Sequence, residues 1–319
     1  MWNKEFEKQI FESLQKIPGK HINDCYKAFC DNTPYFIKKI NIRFHENVES
    51  AQERIEQSER INKHFNDNGI ETVLAVSFDG CYTHRINENI WIAYHWEDIQ
   101  SIKTVDEKLC YDMGYTLHAL HSVQSDFEFT NEQNVCYKPD FHWVKYARLA
   151  KDVFWEPFLK VFDELKKYSE YGNKCANILS SDTMNVLSHG DFHEGNVFYK
   201  DGNLVILDWE LSGCINPYIE LLDTALNLAG FCQCKTNLSH FSSVIKGYND
   251  YNNTTISYTH IESVVGYFYL MIIERMCQYL NECLKEKTEI NLLEAHKYLN
   301  QFHELKKHSS KFLYIIYNN

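Results

Sequence analysis

The spacing of apolar residues changes near residue 96, and that change bounds what the chain can fold into. Before it, residues 22–30 and 35–42 read as short β-type runs separated by Asp31-Asn32-Thr33-Pro34, residue types that favour a turn. Two further strand candidates follow at 72–78 and 90–96. Between the two pairs, residues 46–65 are charged, with apolar residues at Val48, Ile55, Ile61 and Phe65 in a sparse helical pattern. Asn66-Asp67-Asn68-Gly69 closes that helix, since Asn and Gly accept the left-handed C-cap conformation. Beyond residue 96 the texture is helical. Residues 105–121 carry Leu109, Met113, Leu117, Leu120 and His121 at helical spacing, and 143–168, 219–231, 240–248, 256–285 and 292–307 read the same way. A small β-rich part followed by a larger helical one predicts a segregated α+β architecture in two lobes, 1–95 and 96–319.

One stretch of the helical part breaks the pattern. In residues 186–207 two short apolar runs flank a polar, histidine-rich loop, Ser188-His189-Gly190-Asp191-Phe192-His193-Glu194-Gly195-Asn196. The second run, Leu204-Val205-Ile206-Leu207, delivers Asp208, then Trp209 and Glu210. Phosphoryl transfer needs groups of these types: one carboxylate to orient and deprotonate an attacking hydroxyl, and a carboxylate with an amide oxygen to hold hard magnesium ions. Asp191 suits the first task, and Asn196 and Asp208 suit the second. Gly190 and Gly195 let the loop bend sharply between the runs. Each residue taken singly reads as a turn Asp, a capping Asn or a solvated acid; the H-G-D-x-x-x-x-N arrangement followed by a strand ending in D-W-E does not. A zinc pair of His189 and His193 at i,i+4 would need a helix, which the two glycines oppose.

Composition narrows the partners. Lysine plus arginine total 32 against 44 acids, a formal net charge of -12, which disfavours nucleic acid and favours cationic ligands. Eleven cysteines are scattered without a CxxC pair, as expected of reduced thiols in a cytoplasmic protein. The start, MWNKEFEKQI, does not read as a secretory signal, so none is expected, and the longest apolar run, 264–273, falls short of the roughly 20 residues a membrane span needs.

The loop and the strand after it resemble the aminoglycoside phosphotransferase and choline kinase superfamily, which shares the bilobal protein-kinase-like fold. That resemblance implies a phosphotransferase acting on an alcohol group, with Asp191 as catalytic base and Asn196 and Asp208 as magnesium ligands. His189 then shapes the loop rather than carrying a proton. Leu117-His118-Ala119-Leu120-His121-Ser122 resembles the family's L-x-x-L-H-S helix end. Asn216-Pro217-Tyr218-Ile219-Glu220-Leu221 resembles its N-P-x-x-D-L stretch, with Glu220 where an Asp is usual and Asp223 one turn on, both read as structural. In the first lobe, residues 19–26 sit where the family has its phosphate-covering hairpin, with Asn23 in place and one glycine where several are common. Residues 35–40 resemble the strand of the phosphate-binding lysine, Lys38 or, as the fallback, Lys39; alternation sends them to opposite faces. The partner acid is expected from the next helix, at Glu59 before Glu56, and residues 92–96, with Tyr94 and Trp96, resemble the hinge that meets the nucleotide base.

The implied co-substrate is ATP or GTP, with Mg2+ as cofactor, and the implied acceptor is a small hydroxyl compound, often cationic. Glu210 and Glu274 are the acids singled out for an aminated acceptor. An aminoglycoside would imply antibiotic resistance; choline, ethanolamine or thiamine would imply a metabolic kinase. A nucleotide-binding pseudokinase is the reading from another class, and Asp191, Asn196 and Asp208 together speak against it. A protein kinase is disfavoured because no A-P-E segment follows Asp208. Neither a nucleic-acid nor a membrane partner is expected.

Overall fold

A computed structural model describes residues 2–19, 23–42, 46–124, 139–153, 155–181, 184–251, 258–283 and 288–319. The chain forms two compact units, one of residues 1–103 and 189–213 and one of residues 104–188 and 214–319. The division read from sequence at 95/96 left the loop around Asp191 with the helical part; in the structure residues 189–213 cluster with the β-rich part.

The first unit is built on an antiparallel sheet of β1 (Gln15–Lys16), β2 (Asp24–Cys30), β3 (Thr33–Ile40), β4 (Thr83–Ile86) and β5 (Asn89–His95), in the order β1-β2-β3-β5-β4. The Asp31-Asn32 turn between β2 and β3 takes positive φ at both residues, as a tight hairpin requires. The register sets Lys38 opposite Cys25 on β2 and Ile92 on β5. One face of the sheet carries α1 (Lys4–Ser13), whose Phe6 and Ile10 are buried with Trp2, Ala28, Ile37 and Ala93. On a second cluster, Ile55 and Ala51 of α2 (Val48–Asp67) pack with Ile40, Ile90 and Ile92. A smaller sheet, β6-β8-β9, joins β6 (Gln100–Ser101) to the hairpin of β8 (Val197–Lys200) and β9 (Asn203–Ile206).

The second unit is helical. It holds α3 (Glu107–Ser122), α4 (Trp143–Asp152), α5 (Glu156–Lys160), α6 (Phe162–Ser180), α7 (Pro217–Leu228), α8 (Leu238–Asp250), α9 (Tyr258–Glu282) and α10 (Thr288–Asn318), with β7 (Val186–Ser188) paired to β10 (Gly213–Ile215). The helices α3 and α8 approach closely through two glycines. A Cβ on Gly114 would stand 2.1 Å from the Val244 carbonyl oxygen, and one on Gly247 would stand 2.1 Å from that of Tyr111. At this junction His121, on α3, bonds through Nε2 to Glu220 Oε2 of α7 and through Nδ1 to the Tyr248 hydroxyl of α8, both at 2.9 Å. Glu220 is buried there.

Three differences from the sequence pattern have physical causes. Residues 72–78 form no regular strand, because their backbone divides its partners. Glu71 accepts from Ile206 and Thr72 bridges to it, whereas Ala75 and Val76 meet Tyr94 and Ala93 of β5. The expected helix at 143–168 is three pieces, with Pro157 in the first turn of α5, where its missing N–H costs least. Finally, α10 runs past residue 307 because Phe312 and Ile316 continue its buried stripe beyond the charged Lys306-Lys307. Among the described residues no two cysteines form a disulfide, and no helix is long and apolar enough to cross a membrane.

Candidate active site

Asp191 lies in the loop between β7 and β8. Gly190 makes the turn before it, with φ +81, and a Cβ there would stand 2.1 Å from the Leu211 carbonyl oxygen, so the position admits little but glycine. His189 is fully buried. Its Nε2 meets the Leu207 carbonyl oxygen at 2.9 Å and its Nδ1 accepts the Asp191 N–H at 3.2 Å. That is the tautomer of a neutral structural imidazole. The Leu207 N–H in turn donates to the Asn196 carbonyl oxygen at 2.9 Å. Two hydrogen bonds thus clamp the loop to the residue before Asp208.

Asn196 faces Asp191. Its Nδ2 donates to the Asp191 carbonyl oxygen and to Oδ2, both at 2.9 Å. With the nitrogen committed there, the amide oxygen is directed away from the carboxylate and remains a hard donor for a cation. Burial pushes the Asp191 carboxyl up, but the hydrogen bonds from His193 and Asn196 outweigh it and hold the group below its ordinary value. Asp191 is therefore an ionised acceptor at neutral pH.

Asp208 adopts the left-handed conformation, φ 65 and ψ 60, which Asp tolerates better than most residues. The next residue, Trp209, is buried, stacked on Phe65 at 5.0 Å and edge-on to His189 at 4.8 Å, which fixes the turn. Lys38 Nζ reaches Asp208 Oδ1 at 2.8 Å and also pairs with Glu210. Burial lowers the lysine pKa, and the Asp208 and Glu210 carboxylates more than reverse this, so the net shift is upward and Lys38 is a cation. Lys39 points the other way, its Nζ 5.7 Å from the Trp91 ring centroid. Asn23 bridges the same cluster, donating through Nδ2 to Glu210 Oε1 at 2.6 Å and accepting the Asn41 N–H at 2.8 Å.

The sequence of this chain matches the phosphotransferase enzyme family over residues 13–233, more than half its length. The chain belongs to that family. No curated protein's sequence matches significantly. Among known structures, the phosphotransferase is similar to an aminoglycoside phosphotransferase from Alicyclobacillus acidocaldarius, with a TM-score of 0.66 at 11% identity over 99% of this chain and 96% of that one. An amicoumacin kinase in complex with AMP-PNP, Ca2+ and Ami gives 0.62 at 13% identity, covering 93% and 89%. Choline kinase from Cryptosporidium parvum gives 0.57 at 11%, covering 96% and 92%. The fold is the kinase-like α+β fold that the sequence resemblance implied.

Several residues of the phosphotransferase sit differently from their sequence-based expectations. Glu59 was expected to pair with Lys38. It is buried and instead accepts from the Tyr94 hydroxyl at 2.5 Å and from Asn62 Nδ2 at 3.3 Å; among the described residues it makes no ion pair with Lys38. The acids on Lys38 come from the Asp208-Trp209-Glu210 turn, a pairing across 170 residues that local pattern does not reveal. Glu210, singled out for an amine of the acceptor, is thereby committed to Lys38 and Asn23. Glu56, the runner-up, accepts from the Tyr82 and Thr83 N–H groups, shaping the approach to β4.

At the expected hinge, Tyr94 turns its hydroxyl to Glu59, and the Trp96 N–H donates to the Pro34 carbonyl oxygen at 3.1 Å while Lys27 covers its ring at 4.1 Å. The Trp96 N–H is thus taken by the protein's own backbone. Residues 20–22 of the expected phosphate hairpin lie outside the described residues. Glu274 stands in the second unit, accepting from Gln278 Nε2 at 2.5 Å. It lines a cavity of about 500 Å³ together with Asp223, Phe231, Tyr267, Phe268 and Tyr298.

Proposed function

We propose that this phosphotransferase transfers the γ-phosphate of ATP or GTP to a hydroxyl of an aminated small molecule, with Asp191 as base. The observation that carries the reading is one continuous set of hydrogen bonds. Asn196 holds Asp191 through its side chain and Leu207 through its carbonyl, and Leu207 leads into Asp208, on which Lys38 is anchored. Base, hard-oxygen donors and phosphate-seeking cation are thus coupled through a few bonds, and positioning of this kind supplies most of the catalysis in phosphoryl transfer.

In that reaction Asp191 accepts the proton as the acceptor oxygen forms its bond to the γ-phosphorus. The bond from that phosphorus to the bridging oxygen breaks, and the nucleoside diphosphate leaves. Lys38 meets the phosphate oxygens. Asn196 Oδ1 and the Asp208 carboxylate would hold magnesium, which prefers oxygen ligands and, when bound, neutralises charge on the phosphates. The amicoumacin kinase solved in complex with AMP-PNP and Ca2+ supports a nucleotide co-substrate.

The aminated acceptor is supported by the chemistry of the second unit's cavity. About 500 Å³ suits a small molecule, and the wall carries two carboxylates, Asp223 and Glu274, beside one cation, Arg275. A polyamino sugar would use both acids. The four aromatic rings of the same cavity favour, as the second reading, a single ammonium as in choline or ethanolamine. The test is magnesium-dependent consumption of ATP and GTP against aminoglycosides, choline, ethanolamine and thiamine. Stimulation by an amine-bearing alcohol is the expected result. Nucleotide binding without stimulation by any of them would contradict the reading and favour a pseudokinase.

A further inference from the structure

His193 is two residues beyond the proposed base and is only partly buried. Its side chain is one-third exposed, whereas the neighbouring Phe192 fills the buried position. Its imidazole is nonetheless held in a defined way. The Gly195 N–H donates to His193 Nδ1 at 3.0 Å. A backbone N–H can only donate, so Nδ1 is the bare nitrogen and the proton of the neutral ring sits on Nε2. That Nε2 faces Asp191 Oδ2 at 3.5 Å. This is the outer edge of hydrogen-bond reach, a separation typical of catalytic groups before substrate tightens them.

Asn196 Nδ2 lies 3.3 Å from the same ring nitrogen. Its two N–H bonds have acceptors in the Asp191 carbonyl oxygen and Oδ2. Donors from Asn196 and His193 therefore converge on Oδ2, and Oδ1 is the oxygen they leave for another partner. The glycine belongs to the same device. A Cβ at position 195 would stand 2.7 Å from His193 Cε1 and 3.0 Å from Nδ1, so a larger residue would displace the ring.

We propose that His193 is a positioning residue for Asp191: its Nε2–H donates to Oδ2, in a tautomer set by the Gly195 N–H, and so presents Oδ1 to the acceptor hydroxyl. The inference rests on the reading of Asp191 as base. It requires that loss of the donor slow the chemical step without weakening the binding of either substrate.

The test compares His193→Leu, which keeps bulk without a donor, with His193→Gln, whose amide can donate from a similar place. His193→Leu is expected to lower kcat about 10- to 100-fold, the cost of a misplaced reacting group. Both KM values should stay within about threefold of wild type, since the interaction matters in the transition state. His193→Gln should recover most of the loss. Unchanged kcat in His193→Leu, a loss confined to nucleotide KM, or a glutamine variant as slow as the leucine one would each overturn the proposal. A second readout needs neither variant nor turnover: nitrogen-15 NMR of the wild-type imidazole should find the proton on Nε2. A proton on Nδ1 would overturn the proposal. Wild-type protein that binds nucleotide but transfers nothing would instead count against Asp191 as base, while the NMR result still decides the tautomer.

Discussion

Replacing Glu59 with glutamine should change how stability responds to pH, by an amount the structure sets. Glu59 is only 4% exposed, and burial pushes its carboxyl from 4.5 up to about 7. The hydrogen bonds from Tyr94 and Asn62 and the charge of Lys38 pull it down only in part, and Glu210 adds to the rise. The folded state therefore binds a proton that the unfolded chain has already released between pH 4.5 and 7. Stability from this group is fully present below pH 4.5 and is lost as pH rises to about 7. At ~1.4 kcal/mol for each pH unit, the 2.5-unit difference between 7 and 4.5 amounts to about 3 kcal/mol.

Glutamine does not titrate, so the wild-type minus Glu59→Gln difference isolates the carboxyl. Urea unfolding of both proteins from pH 4.5 to 8, without nucleotide, should show wild type losing about 3 kcal/mol relative to the variant across that window. A flat difference would refute the reasoning. A difference of the opposite sign would show a carboxylate stabilised as an ion, which is what a direct pair with Lys38 would give.

Other perturbations probe the rest of the site. Asp208→Ala should weaken divalent-dependent nucleotide binding at least about tenfold, as expected for loss of the proposed metal ligand; unaltered binding by calorimetry would remove it from that role. Gly190→Ala should cost at least about 2 kcal/mol, from the left-handed strain and the contact with Leu211; an unchanged melting temperature would contradict the loop geometry. Asp223→Asn combined with Glu274→Gln should raise the KM of an aminated acceptor about tenfold and spare that of the nucleotide. A rise in nucleotide KM alone would reassign the cavity.

The sequence was most legible where local pattern and structure coincide. Period-two runs became β2, β3 and β5, and Lys38 and Lys39 fell on opposite faces as alternation requires. The histidine-rich loop was conspicuous because its polar residues interrupt two apolar runs. What escaped depends on partners distant in sequence. Helix α1 shows only two buried residues, Phe6 and Ile10, and is fixed by the Asn3 cap and by the core cluster with Trp91 and Ala93. The choice of Glu210 over Glu59 as a partner of Lys38 follows from the turn after β9, where Trp209 is driven into the core and its two acidic neighbours are left on the lysine. The link from His193 to Asp191 depends on a backbone N–H, which leaves no mark in side-chain pattern.

Asp191→Asn tests the central claim most directly, with phosphate transfer and nucleotide affinity measured on the same preparation. Transfer to the best acceptor should fall by about 10²- to 10⁴-fold, the usual contribution of a general base. Nucleotide affinity should stay within about twofold, because the carboxylate acts on the acceptor. Undiminished transfer would contradict Asp191 as the base of this phosphotransferase.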